Sequence, residues 1–334
     1  MITLTNHRET YRFVPSTSTP VSPERVAQLL KAEWELFTKQ TGKSAEESKR
    51  ALKSLPMGVT SSFQHWDPYP ISIVSAKGAW MTDVDGRQLL DLSMGFGAML
   101  AGHLNPVVVD EVKKALESGT LFVTPSPIST DAAERICRRF GIEQVRFTNS
   151  GTESTMYAVR TARAATDKNA IVKVEGGYHG SYDPFVVSSK PPIDKIGDAE
   201  DPIAYTPEGI VPGEMYVVPY NNADALERTF KKHGSSIACF ILEPVLENLG
   251  IILPDEGYLE RVRELCDEYN VVLIFDEVKT GLTAGHQGAS QRLSVTPDLI
   301  TLAKSIGGGL TLAAFGGKKK YMDFVTNGKM AHFG

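Results

Sequence analysis

The chain has 334 residues, of which 42% are hydrophobic and 22% charged, and its formal net charge at pH 7 is -5. This length and apolar content allow a large buried core. The acidic balance argues against nucleic acid as a partner, because sequence-independent binding to a polyanion needs a basic face. Three scattered cysteines and seven histidines show no C-x-x-C or H-E-x-x-H spacing, so we predict neither disulfides nor a metal site, and we expect a cytoplasmic protein.

After a polar arm, residues 22–40 open with Ser22-Pro23-Glu24 and place apolar residues at helical spacing, which predicts a capped amphipathic helix. Residues 71–86 lead to an Asp-Gly turn and predict a small antiparallel unit. No stretch approaches the ~18 apolar residues of a membrane span, and no targeting segment is recognised, so we predict no membrane association.

From residue 105 onward, short β-branched runs alternate with longer helical segments. This alternation predicts an α/β fold in which a mostly parallel, seven-stranded sheet is covered by helices on both faces. We divide the chain into an N-terminal segment with part of a small domain (1–104) and a large domain (105–334). Helices are predicted at 105–118, 129–140, 152–165, 222–232 and 255–269, and strands at 145–148, 170–174, 215–218, 237–242, 271–275, 299–303 and 313–315.

Two predicted strands end in glycine-containing turns, and ligands in open α/β sheets bind beyond the carboxyl ends of the strands. Residues 148–153 (TNSGTE) open a helix, where small residues and free N–H groups suit a phosphate, although an ordinary N-cap is the alternative. Residues 176–180 (GGYHG) place Tyr178 between glycines, where its ring can lie on a planar heterocycle. A glycine-rich turn with a half-buried tyrosine is the alternative there.

Two further strands end in charged side chains. Asp276 closes an apolar strand and requires a cationic partner, either a protonated pyridine nitrogen or a structural Lys, Arg or helix cap. Glu243 ends another strand in the same way and could orient Asp276. Lys304 ends a third apolar strand ahead of three glycines, where burial lowers the pKa of its amine and lets it attack an aldehyde. One ligand offers a phosphate, a flat ring, a basic ring nitrogen and an aldehyde: pyridoxal 5'-phosphate (PLP).

With these motifs in order, the chain resembles the class III aminotransferases among the fold type I PLP-dependent enzymes, near the glutamate-1-semialdehyde 2,1-aminomutases and the β-amino-acid aminotransferases. The resemblance runs from about residue 55 to the end of the chain. It is carried by NSGTES (149–154), YHG (178–180), EPV (243–245), FDEV (275–278) and TPDLITLAKSIGGG (296–309).

The resemblance implies that Lys304 holds PLP as a Schiff base and moves the substrate proton, while Asp276 pairs with the ring nitrogen. Val278 and Tyr178 would sandwich the ring, and Asn248 could reach the phenolic oxygen. A homodimer with sites between subunits is also implied. The residues expected to hold the cofactor are Ser150, Gly151, Thr152, Tyr178, His179, Glu243, Asn248, Asp276, Val278 and Lys304.

On the substrate side, Gln64 stands where the aminomutases have an arginine that grips the substrate carboxylate. A neutral amide cannot form that charge-assisted fork. The segment that follows FDEV, which is KTGLT at 279–283, also lacks a second arginine. We therefore predict an aminotransferase acting on an amino donor and an oxo acceptor, with an aminomutase as the alternative. Gln64, His65 and Trp66 are predicted substrate contacts, although a surface position for His65 is the alternative.

Family members continue past the position of Gly334, so we expect the C-terminal small domain to be missing, together with a threonine that reaches the neighbouring subunit's phosphate. That expectation motivates a further alternative, a non-catalytic PLP-fold binding subunit. A nucleotide-binding protein is disfavoured, because no G-x-x-x-x-G-K-[ST] occurs and Gly307 to Gly309 follow the lysine.

Overall fold

The structure is a computed structural model that describes residues 22–196, 205–325 and 330. The chain forms two compact units. The first ends at Ala76 and also includes Trp80–Leu90, and the second comprises Lys77–Ala79 and the chain from Asp91 onward. Within the described residues, every helix is too short or too polar to cross a bilayer.

The first unit combines two helices with a three-stranded sheet, in which residues 80–82 pair antiparallel with residues 88–90, in line with the antiparallel unit that the sequence predicted. Ser22 caps the first helix by accepting a hydrogen bond from Arg25 N at 3.2 Å. Asp85, in the predicted turn, accepts hydrogen bonds from Lys43 N (2.8 Å) and the Ser44 hydroxyl (2.6 Å) and so ties the turn to the second helix. The elements are α1 (Pro23–Gln40), α2 (Gly42–Ala51), β1 (Ile73–Lys77), β2 (Trp80–Asp83) and β3 (Gln88–Leu90).

The second unit contains the predicted alternation of helices and strands. Its helices are α3 (Pro106–Ser118), α4 (Pro127–Phe140), α5 (Gly151–Thr166), α6 (Asp183–Val186), α7 (Ala223–His233), α8 (Tyr258–Glu268), α9 (Thr280–Thr283), α10 (Gly288–Arg292) and α11 (Lys319–Met322). Its strands are β4 (Gln144–Thr148), β5 (Ala170–Val174), β6 (Met215–Val218), β7 (Ile237–Leu242), β8 (Val272–Asp276), β9 (Leu299–Leu302) and β10 (Ala313–Gly317).

Three predicted boundaries were wrong for identifiable reasons. The helix predicted at 255–269 begins only at Tyr258, because Gly257 has a φ of 80° and cannot continue a right-handed helix. The helix predicted at 129–140 begins earlier, at Pro127, whose fixed φ suits a first helical position. The strand β10 also runs two residues further than predicted, because Gly316 and Gly317 still pair with β4.

The seven strands have the order β4-β10-β9-β8-β7-β5-β6, and β10 is antiparallel to both of its neighbours. The mostly parallel sheet that the sequence predicted is therefore confirmed. Alternate residues of each strand point to opposite faces: on β7, Phe240 and Leu242 belong to the core under α7 and α8, whereas Cys239 and Ile241 face the core under α5. Because β4, β5, β7, β8 and β9 run the same way, their carboxyl ends meet at one edge.

Candidate active site

A cavity of about 320 Å³ opens at that edge of the sheet, within the second unit. The side chains that line it come from the residues after β4, β5, β7, β8 and β9, as expected for ligand sites of open α/β sheets. All ten residues predicted to hold the cofactor line this one cavity: Ser150, Gly151, Thr152, Tyr178, His179, Glu243, Asn248, Asp276, Val278 and Lys304.

The first turn of α5 forms one wall of the cavity. Ser150 is the N-cap and accepts a hydrogen bond from Glu153 N at 3.2 Å, while the Glu153 carboxylate accepts one from Asn149 N at 2.7 Å. These two hydrogen bonds satisfy two backbone donors and orient the turn, much as a capping box does, except that Glu153 reaches the residue before the N-cap. The N–H groups of Gly151 and Thr152 have no acceptor inside the helix, so they can bind an anion. The N-cap alternative is therefore also correct, and it is compatible with a phosphate site.

Two glycines allow the turns around this wall to approach closely. A Cβ atom on Gly151 would lie 3.3 Å from both methyl carbons of Val278 and 3.5 Å from the Ala303 Cβ. Gly180 has a φ of 100°, and a Cβ there would lie 2.8 Å from the Thr152 Cα. Any larger residue at either position would push apart the walls that face the cavity.

Glu243 connects two of the turns. One carboxylate oxygen accepts a hydrogen bond from Tyr178 N at 3.2 Å, and the other accepts one from the Asn248 amide at 2.8 Å. The side chain is buried, with 4% exposed. The hypothesis that Glu243 orients Asp276 differs from what the described residues show, because its hydrogen bonds go to the turn after β5 and to the turn Glu247–Leu249. It positions the residues on either side of the cavity.

Asp276 ends β8 as a buried carboxylate that hydrogen-bonds to three neighbouring groups. Its Oδ1 accepts hydrogen bonds from Val278 N at 3.0 Å and from the Thr301 hydroxyl at 3.1 Å. Its Oδ2 lies 2.8 Å from His179 Nδ1, and a ring that carries its proton on Nδ1 donates it here. Among the described residues, Asp276 has no Lys or Arg partner within ion-pair distance. The structural salt-bridge alternative is thus not found, and the carboxylate is oriented for a cation that a ligand supplies.

Lys304 begins the turn Lys304–Gly307 just after β9. Its φ of 51° lies in the left-handed region, which is strained for a lysine and is typical of functional sites. The side chain is half-buried, and its ammonium makes no hydrogen bond within the described parts of the chain. Burial lowers the pKa of Lys304, the Asp276 carboxylate opposes this, and the neighbouring Lys279 ammonium lowers the pKa further. A depressed pKa raises the fraction of the neutral, nucleophilic amine.

This donor set fits PLP group by group. The start of α5 offers N–H groups to a phosphate, and Val278 and Tyr178 both face the space that a flat ring needs. Asp276 offers a carboxylate to a pyridinium nitrogen, and Lys304 offers an amine to an aldehyde.

The sequence model of the family "Aminotransferase class-III" matches residues 62–333. The chain belongs to the class III aminotransferase family. Glutamate-1-semialdehyde 2,1-aminomutase 1 of Listeria welshimeri is 40% identical over 290 residues, covering 85% of this chain and 66% of the relative. The chain thus spans slightly less than two thirds of that relative's length.

Solved structures of the same class match the fold. An omega-transaminase from Sphaerobacter thermophilus is 34% identical with a TM-score of 0.81, covering 87% of this chain and 68% of the other. A β-phenylalanine aminotransferase from Variovorax paradoxus is 31% identical with a TM-score of 0.83, covering 92% and 68%. These matches confirm the fold type I architecture. They also confirm PLP as the cofactor of the family.

Sequence reasoning missed three residues of the site. Thr301 donates to Asp276, and Thr155 donates to the His179 carbonyl at 2.7 Å. Lys279 lines the cavity as a second lysine, although the sequence analysis mentioned it only as the first residue of KTGLT, the segment that lacks a second arginine. A polar residue in the apolar strand β9 was a usable signal for Thr301, because it is in register with Asp276.

The three predicted substrate contacts lie in the first unit. Gln64 ends the short 3-10 helix Ser62–Gln64 and accepts a hydrogen bond from the Thr60 hydroxyl at 2.8 Å. His65 and Trp66 follow it on the exposed surface of that unit, and Trp66 is 69% exposed. Their roles toward a substrate stay predictions.

Proposed function

We propose that the protein is a PLP-dependent aminotransferase that moves an amino group from an amino acid or amine to an oxo acid, aldehyde or ketone. The observation that carries this proposal is that one cavity contains both Lys304, which makes no hydrogen bond or ion pair with any described residue, and Asp276, a buried carboxylate that hydrogen bonds from Val278, Thr301 and His179 orient. When bound, PLP supplies an aldehyde that condenses with amines and a pyridinium ring that withdraws electrons from the substrate carbon.

Lys304 Nζ has two tasks in this proposal. It would hold the cofactor covalently, and once a substrate amine has taken its place it would carry the proton between the substrate carbon and the cofactor side. Attack on an aldehyde and acceptance of a proton both require the neutral amine, which the lowered pKa of Lys304 favours.

Asp276 keeps a proton on the ring nitrogen, because a buried carboxylate stabilises the cation that faces it. His179 and Thr301 prevent the carboxylate from rotating away, since each donates to a different oxygen. The N–H groups of Gly151 and Thr152 bind the phosphate, and Glu243 fixes Tyr178 through its backbone. The chain thus supplies binding, orientation and proton transfer.

The test is a half-reaction. The PLP-loaded protein is mixed with single amino donors, and the absorption of the bound cofactor is followed without an acceptor. We expect donors to convert the cofactor to its amine form, and subsequent addition of an oxo acid to restore it. Lys304→Ala is expected to bind PLP without this conversion. Borohydride reduction followed by peptide mapping should label Lys304, and its absence from the labelled peptides would refute the proposal.

A second candidate is an aminomutase, which transfers the amino group within one substrate. The similarity to proteins named glutamate-1-semialdehyde 2,1-aminomutase, at 40% and 42% identity, favours it. Gln64, in place of the carboxylate-gripping arginine, disfavours it. An aminomutase would isomerise glutamate-1-semialdehyde with no second substrate present, whereas an aminotransferase would need both a donor and an acceptor.

A further inference from the structure

Four charged side chains line the cavity: Asp276, Glu243, Lys304 and Lys279. Both carboxylates are held by hydrogen bonds: the Thr301 hydroxyl and Val278 N donate to Asp276, and the Asn248 amide donates to Glu243. Under the proposed function, Lys304 is committed to the cofactor and Asp276 to the ring nitrogen. Among the charged side chains that line the cavity, Lys279 is then the cation to which the proposed function gives no role.

Lys279 follows Val278 directly after β8 and precedes α9. Its side chain is half-buried, and its ammonium makes no hydrogen bond or ion pair with any residue in ranges 22–196 and 205–325. A partly desolvated ammonium without a partner is unfavourable unless an anion binds to it. The cavity therefore contains a cation that is placed for an anionic group of a ligand.

Lys279 lines the same cavity as Lys304, and its ammonium is close enough to two ionisable groups to change their pKa values. Burial raises the pKa of the Glu247 carboxyl, and the Lys279 ammonium is the strongest influence that lowers it. Lys279 also contributes to the lowered pKa of Lys304. The start of α5, where Gly151 and Thr152 offer N–H groups to the phosphate, packs against the residues that precede both lysines: a Cβ on Gly151 would lie 3.3 Å from the Val278 methyl carbons and 3.5 Å from the Ala303 Cβ. Because those N–H groups already suit the phosphate, Lys279 is left for a second anion, one that binds in the cavity it shares with Lys304, where a substrate amine reacts.

We propose that Lys279 binds the carboxylate of the substrate, so that the site takes amino acids whose carboxylate lies on or next to the amine-bearing carbon. This inference rests on the proposed function and narrows it to a substrate class. A lysine suits the task, because its flexible four-carbon stem carries a compact charge that can reach carboxylates at slightly different distances. Lys279 determines specificity, whereas Lys304 carries out the chemistry.

The kinetic test compares two donors that share a benzylic amine and differ in a carboxylate: 3-amino-3-phenylpropanoate and 1-phenylethylamine. The measured quantity is kcat/KM for the acid divided by kcat/KM for the amine. Because a charge-assisted hydrogen bond to the carboxylate is lost, Lys279→Met should lower this ratio roughly ten- to a hundredfold. Lys279→Arg should recover part of the loss. An unchanged ratio in Lys279→Met would overturn the inference.

A binding test needs no turnover. The dissociation constants of 3-phenylpropanoate and of 3-phenylpropanamide are measured by calorimetry on the PLP-loaded chain. We expect Lys279→Met to weaken the acid roughly ten- to a hundredfold relative to the amide. The matched variant Glu247→Gln keeps the lysine and removes the nearby carboxylate, so it should tighten acid binding about twofold to fivefold.

The outcomes separate this inference from the proposed function. If Lys279→Met weakens PLP itself and leaves acid binding unchanged, Lys279 serves the cofactor and the inference is wrong. If the wild type converts neither donor but still binds the acid through Lys279, the aminotransferase proposal fails while the carboxylate site stands.

Discussion

Lys173 allows the energetics of burial to be tested by pH. It lies on β5 with 0% of its surface exposed, and its ammonium donates to the carbonyls of Phe185 (3.2 Å) and Val187 (2.7 Å) and to the Ser189 hydroxyl (3.3 Å). Burial lowers the pKa of Lys173 from 10.5 to about 7, although the Glu175 and Glu243 carboxylates oppose this.

Between pH 7 and 10.5 the unfolded chain therefore binds a proton at Lys173 that the folded chain does not. Stability then rises with pH across this window and is lost as pH falls. A difference of about 3.5 pH units between the folded and unfolded pKa corresponds to about 5 kcal/mol, at 1.36 kcal/mol per unit.

Lys173→Met removes the titrating group and also three hydrogen bonds. We expect the variant to be less stable than the wild type at pH 10.5, and this difference in stability should narrow by about 4 kcal/mol on going to pH 7, because Lys173 is half-protonated in the unfolded chain at pH 10.5 and in the folded chain at pH 7. The assay is urea unfolding of the cofactor-free chain at several pH values, followed by far-ultraviolet circular dichroism. Tryptophan fluorescence is unsuitable, because Trp34, Trp66 and Trp80 all lie in the first unit.

Lys168→Met is the matched control. The Lys168 ammonium also donates to three acceptors, the carbonyls of Gly234 (3.0 Å), Tyr269 (3.3 Å) and Asn270 (3.2 Å), but its side chain is only half-buried. The difference in stability between Lys168→Met and the wild type should change far less with pH. The reasoning would be refuted if the corresponding difference for Lys173→Met stayed constant from pH 7 to 10.5, or changed no more than that of the control.

Three further variants test the site. Asp276→Asn should slow the donor half-reaction by about 10²- to 10³-fold in stopped-flow absorbance, because a neutral amide no longer stabilises the ring cation; an unchanged rate would contradict its role. Gly151→Ala should weaken PLP about tenfold in an equilibrium titration, because its Cβ would lie 3.3 Å from Val278 methyl carbons. Glu277→Gln should lower the free energy of unfolding, measured in urea, by about 2 to 4 kcal/mol. The buried carboxylate accepts hydrogen bonds from Ser290 N (3.0 Å), Ala289 N and the Thr280 hydroxyl, and the NH2 group of a glutamine would face some of these donors. Equal stability would show that these hydrogen bonds contribute little.

The sheet could be predicted from the sequence because its strands are short, apolar and separated by helical periodicity. The predicted ranges of β5, β6 and β7 coincide with the observed strands. The strand ends were informative for the same reason. A polar or charged residue such as Asp276 at the end of a wholly buried strand has few explanations, so residue types far apart in the chain could be assigned to one ligand.

The second layer of the site, meaning the hydrogen bonds that hold the cavity-lining side chains in place, could not be predicted in the same way. The contact between His179 and Asp276 joins residues 97 positions apart, and it depends on which strands are neighbours in the sheet. The sequence contained the alternation of β and α elements but not the order β9-β8-β7-β5. Without that order, Glu243 could be matched with Asp276, whereas its hydrogen bonds go to Tyr178 and Asn248.

The cavity's charges share one arrangement that explains why a second layer is needed. Asp276 and Glu243 accept hydrogen bonds from backbone N–H groups, a hydroxyl and an amide, while Lys304 and Lys279 have no anion within ion-pair distance among the described residues. Ion pairs between these carboxylates and lysines would largely cancel the charges that a ligand meets. Hydrogen bonds from the surrounding residues instead fix the carboxylates and leave both lysines available, so these charges act on the ligand that binds at the sheet edge.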